Sequence, residues 1–398
     1  MSVRGTDAEE LVEPSDLEGI HAESDPSRPR GKLGQLSVAR AEDLVRTAFT
    51  ARLCGCILGK PMEGVGDLAR YREVGLRLGE WPLRDYVTEA FMDSLGASHA
   101  SRPYTTRERI AYVAPDDDIK YTILAMTVLE EKGLSFTRDD LRAAWLLNLA
   151  PGGTWGPERG FMASATAATL GGREPDVPVG DERMNAWAEA SNEGLELCGA
   201  AIRADAYGYA CLGDPALAAD LAWRDAGMTH RRTGIYGAMF IAAAIAAAPF
   251  ARDSLDIFAT ALRYVPRRSR FYRVVSDCMT MVAEAKDWLA AYERIHDTYA
   301  RYGFCQIYQE CGTLMNTLRF AEDIGNGICL QVSQGLDTDS FGATAGSLLG
   351  IWRGPEALAH RWVAPFHNRI HPGLATFHEQ DLEAVVTRMG RLARLSHP

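Results

Sequence analysis

The feature that most limits what this chain can fold into is a helical apolar period, which recurs from Leu36 almost to the C-terminus. Alternating strand patterns of useful length are few. Between Glu42 and Leu58, residues Leu44, Val45, Ala48, Phe49, Leu53, Cys56 and Ile57 fall at helical spacing. Gly55 and Gly59, four apart in that segment, weaken the helix but let another backbone approach closely. The same periodicity predicts helices over Ile119–Glu130, Val274–Tyr292, Thr313–Glu322, Ser340–Leu349 and Gln380–Leu395. Thr137 with Asp140 three residues on forms a capping-box pattern, and Asp214 followed by Pro215 marks a further helix start. Ile235–Ala248 is almost wholly apolar, too short to cross a bilayer, and reads as a central buried helix. Segments 60–116, 150–184 and 296–312 read as long loops, which are uncommon without a use. One large all-α domain over residues 38–398 is expected, preceded by a disordered tail over 1–37. Within that tail Glu13–Lys32 is rich in Pro, Ser, Asp, Glu and Gly.

Bulk properties exclude several function classes. A formal charge of −11 argues against a general grip on nucleic-acid backbones. No run of 18 apolar residues and no apolar signal-peptide core is found, so no membrane role is expected and the cytoplasm is the expected compartment. Eight cysteines in 398 residues are too sparse for a disulfide scaffold and read as buried thiols in a reducing environment.

The chemistry concentrates in aspartates. Asp116, Asp117 and Asp118 stand directly before a helical pattern, where unpaired amides favour carboxylates. One or two acids there are ordinary caps, but three adjacent ones repel, and a bound cation offsets that repulsion. Asp337 and Asp339 are two apart, with Ser340 adding a hydroxyl, ahead of the small-residue run Gly342, Ala343, Ala345 and Gly346. Such oxygen-rich sets suit hard divalent cations, whereas no histidine accompanies either cluster to favour zinc. If the two clusters meet, they can hold two cations and acidify a water.

Five segments in order carry a resemblance. Gly55-Cys56-Ile57-Leu58-Gly59-Lys60-Pro61-Met62-Glu63, Asp117-Asp118, Cys198-Gly199-Ala200-Ala201-Ile202-Arg203, Thr229-His230 and Asp337-Thr338-Asp339-Ser340 together resemble the signature of the ADP-ribosylglycohydrolase family. The resemblance implies an orthogonal all-helical bundle with two Mg2+ or Mn2+ ions. It implies a hydrolase that cleaves a ribosyl glycosidic bond and releases ADP-ribose from an ADP-ribosylated acceptor protein. The alternatives are a glycohydrolase of a small nucleoside, nucleotide or other ribosylated metabolite, and a non-catalytic member that binds ADP-ribose or metal. Carried over by residue, Asp117, Asp118, Asp337, Asp339 and Ser340 become metal ligands, with Asp116 as an additional candidate. Glu63, Asp118 and Asp339 become catalytic candidates, and Glu63 also contacts the ribose. The chain departs from the family pattern at Asp116, Ile119, Cys198 and Gln334, which stand in place of Thr or Ser, Thr, Asn and Gly. These changes bear on the substrate more than on metal binding.

Further substrate-binding candidates are Trp155, Gly156, Phe161, Arg203 and Tyr207. The glycine-rich stretch around Gly152–Gly160 reads either as a turn anchored by Trp155 or as a loop where Trp155 or Phe161 stacks on a base. Arg203 reads either as a planar fork for phosphate or as an internal ion pair with Asp205. His230 reads as a structural hydrogen-bonding residue. The sequence leaves oligomeric state open.

Overall fold

A computed structural model describes residues 10–96, 99–172, 177–190 and 194–397. Among these, helices form the whole architecture and no strand occurs. Isolated bridges pair Val113 with Ile370 and Arg369 with Asp381.

Two long helices organise the bundle, Val38–Gly59 and Thr338–Arg353. They cross along a seam of small residues. A Cβ at Gly55 would lie 2.0 Å from the Gly342 carbonyl oxygen, one at Gly59 2.1 Å from that of Thr338, and one at Gly346 2.3 Å from that of Ala51. Glycine is therefore what allows backbone-to-backbone contact here. The seam is closed at its end by Thr338 Oγ1, which donates to the Gly59 carbonyl at 2.8 Å. Behind it, every residue of the Thr233–Ala247 helix is buried. The stretch Thr233–Phe250 is apolar enough to cross a membrane by length and composition, but 89% of it lies inside the protein, where it forms the core.

Local signals place several other helices. Thr137 and Asp140 make the reciprocal capping box, and Asp214 accepts from Leu217 N with Pro215 at the first helical position. Elsewhere the structure corrects the sequence reading. The helix expected over Val274–Tyr292 is two helices, Arg270–Glu284 and Trp288–Tyr299, because Asp287 caps the second by accepting from Ala290 N. The helix Ile324–Ser333, capped by Asp323, falls between two expected elements. Segments 60–116 and 150–184 are not open loops, since they hold Leu68–Leu78, Glu89–Leu95 and Gly156–Leu170.

The expected tail is structured from residue 10 onward, and residues 1–9 lie outside the described residues. It carries the short helix Leu17–Glu23, whose Ile20 is buried. Polar anchors do most of the holding: Trp223 Nε1 donates to the Ser15 carbonyl at 2.9 Å, Tyr264 OH to the Pro29 carbonyl at 2.8 Å, and His21 pairs with Asp220 at 2.8 Å. A segment poor in apolar residues is ordered because the domain's own side chains satisfy its backbone, which composition does not reveal.

Candidate metal and substrate centre

Both aspartate clusters stand at helix starts, and each of the two seam helices reaches Asp118, one through Arg52 and the other through Ser340. Asp118 lies in the first turn of Asp117–Lys132, and Asp339 in the first turn of Thr338–Arg353. Ser340 Oγ donates to Asp118 Oδ2 at 3.2 Å across the junction. Carboxylate oxygens of Glu63, Asp337 and Asp339 lie within 4.8 Å of one another. These residues, with Asp117, Asp118 and Ser340, line a cavity of about 570 Å³. That volume is within the range of small-molecule and cofactor sites.

Asp116 faces elsewhere. One oxygen accepts from Asp118 N at 2.9 Å, and the other pairs with Lys60. The extra aspartate of the triplet therefore caps the helix and anchors Lys60 off the cavity lining, while its carboxylate stays within 4.8 Å of ligand atoms of Asp118 and Cys56. Asp118 is held from behind by buried Arg52, whose guanidinium donates to the Asp118 carbonyl at 2.9 Å and sits 3.6 Å from its carboxylate. Arg52 also pairs with Asp205 at 3.0 Å, so the partner of Asp205 is Arg52 and not Arg203.

The approach to Asp337 is a tight turn in which Gly335 and Leu336 have φ of 80° and 65°. A left-handed leucine is costly and needs support. Glu310 supplies it: one oxygen accepts from Asp337 N at 3.1 Å, the other from Ile307 N at 3.1 Å, and Ile307 itself has φ 47°. Gln334 is locked by Asn316 at 2.8 Å and Thr317 at 2.9 Å. No sequence signal pointed to Glu310 or Arg52, since each acts through partners distant in the chain.

Three predicted substrate residues lie outside the cavity. Phe161 is fully buried and packs edge-on against Trp187. Arg203 is 1% exposed and is consumed by Glu158 at 2.5 Å, Asp225 at 2.6 Å and Thr229 at 2.8 Å, above the Trp145 ring. Tyr207 bonds Asp225 and stacks on Phe136. A guanidinium surrounded by two carboxylates in the core has no donor to offer a phosphate. Its work is to fix Glu158, which does line the cavity, against Gly199. His230 is buried, bonded to Thr229 Oγ1 at 2.7 Å, and is likewise structural. Trp155 and Gly156 do line the cavity, Trp155 with 59% of its surface exposed at the mouth. Sequence reasoning missed His99, Lys60, Tyr104 and Phe304, which line it too.

Burial, and then crowding of acids that outweighs the charges of Lys60 and Arg52, shifts their proton affinity. Burial, then the Asp339 charge, pushes Glu63 up to about 9 from 4.5. Asp118 is held well above the usual carboxylate range by burial and then Asp339, and Asp337 by burial and then Cys305. This set fits divalent cations: buried carboxylates converge, Asp118 Oδ1 has no hydrogen-bond partner, and positive charge would relieve all of them. A consequence is measurable on chelated protein. Between 4.5 and about 9 the folded chain keeps a proton on Glu63 that the unfolded chain releases, so stability from this group falls as pH rises through that window. Chelator-treated protein should melt lower near about pH 8 than near about pH 6, and Glu63→Gln should flatten the slope. A slope unchanged in Glu63→Gln would remove the assignment.

The sequence pattern of the ADP-ribosylglycohydrolase family matches residues 37–397, and the chain belongs to that family. The family consists of glycohydrolases that act on ADP-ribosylated substrates. A solved structure described as an ADP-ribosylglycohydrolase-related protein complex shares the fold, with a TM-score of 0.57 at 18% identity over 90% of this chain and 99% of that one. No curated protein sequence matches the chain.

Proposed function

We propose that this protein is a metal-dependent hydrolase of a ribosyl glycosidic bond, releasing ADP-ribose from an ADP-ribosylated acceptor. The observation that carries the reading is the convergence of Glu63, Asp337 and Asp339 with Asp118 and Ser340 on one cavity of nucleotide-compatible size. Asp117, Asp118, Asp337, Asp339 and Ser340 would hold two divalent cations, Mg2+ or Mn2+. When bound, these would supply Lewis-acid contact to ribose hydroxyls and a water of lowered pKa. Glu63, with 30% of its side chain exposed, is the acid placed to meet the ribose and to take a proton from attacking water. Arg52 and Glu310 keep the aspartates in place, which limits the reorganisation the reaction requires.

Trp155 at the mouth, with Phe304 42% exposed on the same cavity, offers a platform for a base or ring. Trp155→Ala should raise KM about tenfold, the equivalent of about 1.4 kcal/mol, with kcat changed less than about twofold. An unchanged KM would place the leaving group or base elsewhere.

The deciding experiment measures product release from Arg- and Ser-linked ADP-ribosylated peptides and from small ribosides, with Mg2+, Mn2+ or chelator. Cation-dependent release of ADP-ribose from one linkage supports the proposal and names the acceptor. Cleavage of small ribosides alone overturns the acceptor and moves the enzyme to ribosylated metabolites.

A further inference from the structure

Six of the eight cysteines are buried away from the cavity lining, Cys56 with its thiol beside Asp116 and Asp118, whereas Cys198 and Cys305 face the cavity together. Cys198 opens the turn Cys198–Arg203, and Cys305 lies just before the Tyr308–Phe320 helix. The backbone joins them, Cys198 N donating to the Cys305 carbonyl at 3.1 Å. Cys305 is held at φ 60°, a conformation cysteine rarely adopts. Both thiols point at one oxygen, with Cys198 Sγ 3.0 Å and Cys305 Sγ 3.4 Å from Asp337 Oδ2. The three ligand atoms lie within 4.8 Å of one another.

We propose that Cys198, Cys305 and Asp337 form a subsite for a thiophilic divalent cation of the zinc type, distinct from the oxygen-only positions and open to the cavity at its remaining coordination position. The inference stands apart from the glycohydrolase reading and shares with it only Asp337. In a tetrahedral zinc site, sulfur and oxygen ligands sit about 3.6 Å apart. The observed separations of 3.0 and 3.4 Å reach that value by movements of about 0.6 and about 0.2 Å. Cation binding releases the proton of each thiol, and that of Asp337 where it carries one, to solvent, leaving two thiolates and a carboxylate as ligands. Mg2+ and Mn2+ prefer oxygen, so two thiolates bias this position towards softer ions.

The test uses reduced, full-length, metal-free protein titrated with Co2+, zinc's visible stand-in. A thiolate-to-cobalt charge-transfer band saturating at a single equivalent, and displaced by Zn2+, is expected. The band should vanish in Cys198→Ser and Cys305→Ser, near-isosteric changes whose folding is checked by far-UV circular dichroism. It should persist in Asp118→Asn, which lies in the oxygen-only part of the centre. A wild-type protein without the band, or a band surviving in the double serine variant, overturns the subsite. Hydrolysis in Mg2+ without a cobalt band overturns the subsite and leaves the glycohydrolase reading intact. A band without hydrolysis of any riboside supports the subsite while counting against that reading.

Discussion

Asp339→Asn should lower turnover by at least about 100-fold while leaving the metal-free protein as stable as the parent or more so. Loss of a partner one step removed from a metal already costs about 10–100-fold, so loss of a direct ligand sets a larger effect. A 100-fold fall corresponds to about 2.7 kcal/mol of transition-state stabilisation. The unusual part is the sign on stability. The charge of Asp339 raises the proton affinity of Glu63, Asp118 and Asp337, which identifies it as a source of repulsion in the empty centre. Replacing it by a neutral amide removes that repulsion at nearly constant volume. Thermal melts in chelator, set beside steady-state kinetics with cation, therefore separate a functional carboxylate from a structural one. Wild-type turnover with full metal occupancy in Asp339→Asn would sink the assignment. Asp118→Asn should lose turnover comparably, with a smaller gain in stability, because Arg52 compensates Asp118 at 3.6 Å.

Gly55→Ala should destabilise the fold by about 2–3 kcal/mol and reduce activity as well. In an isolated helix the same change is favourable by about 1 kcal/mol. Here the new Cβ would meet the Gly342 carbonyl oxygen at 2.0 Å, and a backbone atom has no rotamer to escape into. The Val38–Gly59 and Thr338–Arg353 helices must separate, forfeiting contacts along the seam and moving Asp339 and Ser340 away from Asp118. For a chain this long a loss of about 3 kcal/mol lowers Tm by about 4 °C. Gly31→Ala, with nothing within 4 Å of the added carbon, is the control and should stay within about 0.5 kcal/mol. A Gly55→Ala protein with unchanged Tm and kinetics would mean that the seam is looser than its geometry.

How far the sequence reaches is visible at single residues. Gly55 and Gly59 announced a close approach, but nothing in that segment said that the small-residue run with Gly342 and Gly346 would be what they meet. Asp116 shows the converse. Its place in an acidic triplet suggested a ligand, and the structure adds partners the triplet could not show: Asp118 N and Lys60, with Cys56 beside it. Arg203 and Tyr207 stood in or near a family-like segment and Phe161 beside a glycine-rich stretch, yet the core claims all three. Arg203 in particular was read as phosphate fork or partner of Asp205, and its carboxylates proved to be Glu158 and Asp225, 45 and 22 positions away. A charge pair across such separations leaves no local periodicity to read.

The sequence by itself determined the all-α class, the buried Thr233–Ala247 core helix, the caps at Thr137 and Asp214, and the family. These depend on neighbours within a few positions, where backbone geometry dictates spacing, or on motifs whose order survives. Only the tertiary structure decided that the two aspartate clusters share a cavity, that Arg52 and Glu310 brace them, and that residues 10–37 lie on the domain. It alone set Cys198 and Cys305 on one oxygen of Asp337. The physical reason is the same throughout: such contacts are chosen by how rigid helices pack, and packing joins residues whose separation along the chain carries no record of it.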